Sequence, residues 1–539
     1  MAIIELDKKD LDMLIGEKLS VKELEEKVPM IGTPLEGLTK NIIKYEIFPN
    51  RPDMLSVEGF ARAVGNFLKK KNIRKYTASD GEICLYVEQS VESVRPHIAC
   101  AVIKNITLTD AVIKSLMQTQ EKIHQTLGRK RKKIAIGIHN IKNVTQPFYY
   151  KAVKPEKIKF VPLGMKEELN LKEILKKHPK GVKYGNILEG KKLYPIIVDK
   201  NNNVLSFPPI INGELTKVTD DVRDLFIDVT GMDEKTVNVA LNIIVTSLAD
   251  RGGKIQNIKI IKNEKIKRTP LLIYKKMKID LTYVKKLLDI QLNENELKIL
   301  LKKMGFGYED GYVKIPPYRA DIMHPIDIVE DICIAYGYKN FEPKMPAIKK
   351  GKEMEKQKLI KKIKNFMLEL GFQEVVNMIL TNEDDEFIKM GVEPKSFVKT
   401  KNPLTTECTI CRKKLIPSLL KVLMHNKHRK YPQRIFELGY GVYIDKNTET
   451  KTRDSLILAA AMSDDVVNYG DLLFILEKFM KKLGMAYKLE KMVHPSFLNE
   501  RCNKIIFQKK IKGIIGVISP DVLKKFSIEK PVVAFEIKW

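Results

Sequence analysis

Cysteine is scarce: six residues, at positions 84, 100, 333, 408, 411 and 502, are spread over 539. So few thiols in so long a chain make no disulfide framework of the kind small secreted domains use, and a reducing, cytoplasmic setting fits. Cys408-Thr-Ile-Cys411 is the one C-x-x-C. It lacks the second pair or nearby histidines that a tetrahedral zinc set requires, so it reads as structural. Long apolar runs are missing as well. The longest wholly apolar stretch, Leu456 to Met462, has seven residues, far below the roughly 18 that suggest a bilayer-spanning helix. The start, Met1-Ala-Ile-Ile-Glu-Leu-Asp7, puts two acids where a secretory signal needs basic residues, so export is not expected. No internal repeat is visible. Acidic residues are the minority charge, 67 against 96 basic, which leaves +29. With 44% apolar residues wholesale disorder is excluded. The positive excess reads either as a phosphate-binding face or as the surface ion pairs of a protein from a hot habitat.

What is present is a chain long enough for about three to five domains. Ser56 opens a helical segment carrying Val57, Phe60, Ala61, Val64, Phe67 and Leu68, just after the turn-forming run Pro49-Asn-Arg-Pro-Asp53. The apolar period is lost from Lys69 to Gly81, which predicts a boundary near residue 85. Short β-rich runs follow, Ile98 to Ile106, Ile134 to Ile138 and Pro195 to Val198, mixed with helical stretches. A charged connector, Asn263 to Pro270, leads to two helical patterns, Leu281 to Leu288 and Glu294 to Met304, with Gly305 as the expected stop. A second charge run, Lys349 to Gln357, precedes a helix whose face is Leu359, Ile363, Phe366, Met367 and Leu370, stopped by Gly371. Five strand candidates then run to the end, Arg434 to Phe436, Leu456 to Met462, Lys504 to Phe507, Gly513 to Ile518 and Val532 to Ile537. That is the pattern of an antiparallel sheet with helices on it.

The densest local signal is Pro316-Pro-Tyr-Arg-Ala-Asp321-Ile-Met-His-Pro-Ile-Asp327-Ile-Val-Glu330-Asp331. At 100° per residue Asp327, Glu330 and Asp331 share one helix face, with Ile326, Val329, Ile332, Cys333 and Tyr336 on the other. On pattern alone this is a solvated acidic face with ordinary charge placement near a helix start. A turn that brought Asp321 in would let four oxygen ligands converge on a hard cation such as Mg²⁺.

These segments, with Leu127-Gly-Arg-Lys-Arg-Lys-Lys-Ile-Ala-Ile-Gly-Ile-His139, Leu205-Ser-Phe-Pro-Pro-Ile-Ile-Asn-Gly213 and Phe436-Glu-Leu-Gly439, resemble, in order and spacing, the phenylalanine–tRNA ligase β-subunit family of archaeal and eukaryotic type. The resemblance covers essentially the whole chain and implies a multidomain α+β protein. Its expected parts are an N-terminal domain (1–85), a β-rich tRNA-editing domain (86–268), a small winged or helix-turn-helix-like module bearing the acidic helix (269–345), and an inactive class II synthetase-like sheet (346–539). It implies an (αβ)₂ heterotetramer in which the α chain binds ATP and phenylalanine, while the β chain binds tRNA(Phe) and hydrolyses mischarged tyrosyl-tRNA(Phe). The family's Mg²⁺ ligands fall on Asp321, Asp327, Glu330 and Asp331, in a site shared with α, and its editing pocket on Ser206, Asn212 and Asp228.

Residue by residue, plainer readings stand beside these: a strand-end hydroxyl for Ser206, a type I′ turn at Asn212-Gly213, and a loop cap for Asp228. Asn140 follows His139 where the family commonly has aspartate, and no histidine sits beside an obvious serine and acid partner. Arg129 to Lys133 offers a contact for the tRNA acceptor stem. Inactivity of the last domain is expected because phosphoryl chemistry needs arginines aimed at the triphosphate. No arginine follows Arg501, and Arg434 precedes Glu437 by three residues where the catalytic pattern wants two. The rival readings are an RNA-binding scaffold without hydrolytic activity and a self-sufficient ligase; the scarcity of arginine argues against the second.

Overall fold

In the computed structural model, which describes residues 2–348, 351–507 and 510–539, the chain divides into two units, Met1–Met345 and Pro346–Trp539. Lys349 and Lys350, which open the second charge run, lie outside the described residues.

The first unit begins with a three-stranded antiparallel sheet in the order Ala2–Asp7, Ile42–Ile47, Leu35–Leu38. Alternate residues of Ala2–Asp7 are buried, as the period of two demands. Helix Val57–Phe67 starts where Ser56 caps it, its hydroxyl accepting the Gly59 N–H at 2.9 Å. Gly59 must be glycine, since a Cβ there would run into the Asp53 carbonyl.

This helix does not belong to a separate domain. Its core is continuous with that of helix Glu234–Asp250. The Ser56 and Ser247 hydroxyls lie 3.1 Å apart, and Arg251 pairs with both Asp10 and Glu58. The boundary expected near residue 85 falls inside strand Cys84–Val87, in the middle of a ten-stranded sheet. The loss of apolar period between Lys69 and Gly81 marks a crossing over the surface, not the end of a core.

That sheet runs Ile211–Asn212, Val204–Phe207, Tyr194–Val198, Phe148–Val153, Cys84–Val87, Lys254–Lys262, His97–Lys104, Leu225–Gly231, Ile134–Asn140, with Lys265–Thr269 added beside Lys254–Lys262. Pairing is antiparallel except where Cys84–Val87 lies parallel to both neighbours. The last module of this unit is a small antiparallel sheet, Lys275–Lys278, Tyr312–Ile315, Gly307–Glu309, with helices Leu281–Leu288, Glu294–Lys303 and Pro325–Tyr336. Asn293 and Glu296 form a capping box at one helix start, and Gly305, at φ +81°, supplies the left-handed turn after its end.

The second unit is a seven-stranded sheet in the order Gln373–Glu374, Gln433–Ile444, Thr452–Ser463, Val532–Lys538, Lys510–Ile518, Phe497–Phe507, Lys488–Lys491. All pairs are antiparallel except the first. Helices cover both faces, so strand Thr452–Ser463 is buried on each side, which is why Leu456 to Met462 reads as an unbroken apolar run. Inside this unit Arg412 pairs with Glu437 at 2.7 Å, both side chains almost wholly enclosed, and Asn377 Nδ2 donates to the same carboxylate at 2.7 Å.

Arg412→Met strands a buried carboxylate and is expected to cost about 3–5 kcal/mol, read from the urea midpoint. The double change Arg412→Met, Glu437→Leu should recover most of that loss, because it removes the orphaned charge together with its partner.

Candidate functional site

The two ends of the nine-strand path through this sheet, Ile211–Asn212 and Ile134–Asn140, approach each other where Asn212 Nδ2 donates to the Ile138 carbonyl at 3.2 Å. A cavity of about 350 Å³ opens beside this closure, within the usual range for a small-ligand site. Ile113, Leu116 and Met117 of helix Asp110–Gln125 form one apolar side.

Ser206, Asn212 and Asp228 all line this cavity. Ser206 and Asn212 are register partners on adjacent strands, and the serine hydroxyl donates to Asn212 Oδ1 at 3.3 Å. Gly213 has φ −75°, so Asn212-Gly213 is not a type I′ turn, which needs positive φ at both positions. Asp228 is 1% exposed and sits within strand Leu225–Gly231, so it is not a loop cap.

Opposite Asp228 in register is Gly137, where a Cβ would collide with the Asp228 carboxylate and the His139 ring. The missing side chain lets His139, two residues on and on the same strand face, place Nε2 at 2.8 Å from Asp228 Oδ1. Its Nδ1 lies 2.8 Å from the Thr216 hydroxyl. Asp228 as a carboxylate only accepts, so Nε2–H points at it. His139, read from the sequence only as a departure from the family pattern, and Thr216, which that reading did not single out, join Asp228 here. Their signal was Gly137-Ile-His139 running opposite Phe226-Ile-Asp228, legible only once the register is known. Behind Asp228, the fully buried Arg95 donates to Thr230 Oγ1 and its carbonyl, at 3.0 and 2.9 Å. Burial pulls Arg95 down to about 10, with Tyr150 and Asp228 opposing, so it keeps its charge at neutral pH.

Of the basic run, Arg129, Lys130 and Lys132 are exposed, but Arg131 turns inward. It donates to the Pro209 and Ile210 carbonyls at 3.1 and 2.9 Å and lies 4.5 Å over the Tyr184 ring, forming part of the cavity wall. The inversion comes from three successive left-handed residues, φ 47°, 54° and 69° at 129–131, a conformation that structure elsewhere must hold in place.

Chemically, the cavity offers an apolar body with a polar end. Ser206 has an amide oxygen as its partner, not a base, so the geometry suits orienting a substrate and a water better than forming a covalent intermediate.

The acidic helix looks different. Asp331 is buried with Ile328, Ile332 and Ala335, which follow the same three- and four-residue spacing, while Ile326 is exposed. The expected division into acidic and apolar faces is corrected accordingly: Asp331 lies on the buried side because Arg319 neutralises it there. Arg319 Nη2 lies 2.6 Å from Asp331 and 2.6 Å from Asp321. Burial pushes the Asp331 carboxyl up, opposed by Arg319 and then Arg51. Asp327 Oδ2 accepts the Met323 and His324 N–H groups, both at 2.7 Å, and so caps its own helix. Glu330 is exposed.

A resident Mg²⁺ needs oxygen donors free to turn toward it. Three of these four carboxylates already serve other partners, and among the described residues no three His, Cys, Asp or Glu side chains are gathered as such an ion requires. The set does not fit Mg²⁺ within this chain.

Two measurements follow. Gly137→Ala should push His139 off Asp228, shifting the histidine ring resonances and costing about 1–3 kcal/mol through overpacking. Asp331→Asn should lower the thermal midpoint of the isolated chain equally with and without millimolar Mg²⁺; a midpoint in the unmodified chain that rises with Mg²⁺ would restore the metal reading.

The chain is similar to known proteins along its whole length. Residues 277–338 match the tRNA synthetase B5 domain, and residues 342–539 the phenylalanyl tRNA synthetase beta chain CLM domain. The phenylalanine–tRNA ligase beta subunit of Methanocaldococcus jannaschii is 41% identical over 551 residues, covering 100% of both chains. That of Archaeoglobus fulgidus is 41% identical over 546 residues, covering 100% of this chain and 98% of its own. Among solved structures, an N-terminal fragment of the phenylalanyl-tRNA synthetase beta subunit from Pyrococcus horikoshii is similar at TM-score 0.60 and 39% identity, covering 62% of this chain and 100% of the fragment. With two domain models matched in order and full-length relatives at this identity, the chain belongs to the family of phenylalanine–tRNA ligase β subunits.

Proposed function

We propose that this chain works in an (αβ)₂ complex in the cytoplasm, where the α chain binds ATP, its Mg²⁺ and phenylalanine, and that its own cavity clears tyrosine from mischarged tRNA(Phe). The observation that carries the hydrolytic reading is the meeting of Ser206, Asn212 and Asp228 around one cavity at the closure of the sheet.

The need for such a cavity is physical. An apolar pocket shaped for phenylalanine discriminates poorly against tyrosine, which only adds a hydroxyl, so a second site must do the sorting. An aminoacyl ester is already activated. The cavity has only to hold it beside a water, with apolar walls for the ring and polar groups for the phenol and the ester. Asp228, steadied by His139, supplies an acceptor; Ser206 and Asn212 supply the other polar edge. Arg129, Lys130 and Lys132 stand exposed on the loop that enters strand Ile134–Asn140, where they can meet the phosphates of an incoming acceptor end.

The last unit supports the division of labour. Arg434 and Glu437 are three apart on one strand, so they project to opposite faces; Arg434 is exposed, and Glu437 is buried on Arg412. They cannot act as a pair on one substrate, which agrees with an inactive class II sheet retained as scaffold.

In the reconstituted complex, Ser206→Ala and Asp228→Ala should each slow deacylation of tyrosyl-tRNA(Phe) by about 10- to 100-fold, the worth of one hydrogen bond to a charged or oriented group. Charging with phenylalanine should be unchanged. Unaltered deacylation in both variants would leave the chain as an RNA-binding scaffold without hydrolytic activity.

A further inference from the structure

The second unit holds a cavity of about 470 Å³ that the reading above does not use. It lies between Asp384–Ile388, the start of helix Ile416–His425 and the segment 494–497, and Phe387, Met390, Ile416 and Phe497 are among its apolar walls. One wall residue is out of keeping with the rest. Glu386 is only 4% exposed; one carboxylate oxygen accepts the Lys413 and Lys414 N–H groups, both at 2.8 Å, while Oε2 is buried with no hydrogen-bond partner among the described residues.

The surroundings explain what is missing. The next two N–H groups, of Leu415 and Ile416, go to Glu536 Oε2 at 2.8 and 3.2 Å. Four successive donors at one helix entrance therefore serve two carboxylates, and among the described residues no side-chain cation completes the set. Lys413 Nζ turns away to the Lys395 carbonyl at 3.1 Å, and Lys414 is exposed. Tyr443 spends its hydroxyl on the Lys413 carbonyl. Glu393 and Lys395 also line the cavity and are exposed. His494 is held neutral, driven down to about 4 by burial and then by Lys414, and its Nδ1 accepts the Ser496 N–H. Burial, aided by Glu536 and opposed by the two backbone donors, lifts Glu386 to about 7. A buried carboxylate with a preorganised first oxygen and an unpaired second one lacks a single compact cation.

We propose that this cavity binds a small apolar primary amine, its ammonium group paired with Glu386 Oε2 and its hydrocarbon body packed on Phe387, Met390, Ile416 and Phe497. An anion of the same shape is repelled by Glu386 and Glu536, and a neutral hydrocarbon leaves the carboxylate unpaired.

The probe is 3-methylbutylamine, titrated into the full chain by calorimetry, with 4-methylpentanoate as the anionic counterpart. The amine should bind and the acid should not. Binding should tighten about tenfold from pH 6 to pH 8 as Glu386 ionises, with proton release at pH 6. Glu386→Gln keeps an oxygen for the two backbone donors and removes the charge; it should weaken amine binding at least about tenfold and flatten the pH profile. Met390→Trp fills the cavity from another wall and should abolish binding with the carboxylate intact. Equal binding of amine and acid, an unaffected Glu386→Gln, or no amine binding because Lys413 turns inward, each overturns the proposal. Because Met390→Trp and the pH profile do not depend on Glu386→Gln folding, the test stands if that variant fails.

Discussion

A guanidinium taken out of water needs acceptors, and at most of the buried arginines of this molecule, Arg95 on Thr230 excepted, a carboxylate supplies them. Arg51 meets Asp53, Arg62 meets Asp250, Arg251 meets Asp10 and Glu58, Arg319 meets Asp321 and Asp331, and Arg412 meets Glu437. In the first unit Arg62 with Asp250, and Arg251 with Asp10 and Glu58, join segments far apart in sequence, beside the apolar core that the first eighty residues share with helix Glu234–Asp250. Such pairs add little net stability compared with well-packed hydrocarbon, but each is severe to break, so they fix which arrangement the chain accepts. The same rule decides the acidic helix. Asp321 and Asp331 are the counter-ions of Arg319 before they are anything else, and the carboxylates that look like a metal set in one dimension are divided among other duties in three.

The cavity of the first unit depends on a second constraint, that a sheet edge should not be left bare. The long sheet brings its two ends together, and the polar groups of Ser206, Asn212 and Asp228 are carried to the seam. Gly137 makes the seam chemically useful by leaving the space that the carboxylate and the His139 ring occupy. Arg131, forced inward by its left-handed turn, ties the Pro209–Ile210 wall to the loop that carries exposed cations outside. Exposed positive charge and a wall of the cavity thus share one five-residue stretch.

In the second unit one strand sets two charged side chains apart. The antiparallel sheet is intact, but Arg434 and Glu437 face opposite ways, and Glu437 is spent on packing. Elsewhere in the unit the backbone donors of a helix entrance hold two carboxylates, one of which has an oxygen without a partner among the described residues.

Local structure was readable from the chain because its causes are local. Ser56 before an apolar period, Gly305 and Gly371 after one, and the unbroken run Leu456 to Met462 act within a few residues of themselves, and helices and strands formed at those places. Ser206, Asn212 and Asp228 could be named only through the family resemblance; as single residues they had plainer readings. Tertiary structure alone decided that His139 would reach Asp228 across 89 positions, that Arg131 and Asp331 would point inward, and that no core ends near residue 85. Periodicity says which side of an element is apolar, but not which distant charge will be pressed against it, and in a low-dielectric interior that neighbour decides what each polar side chain does.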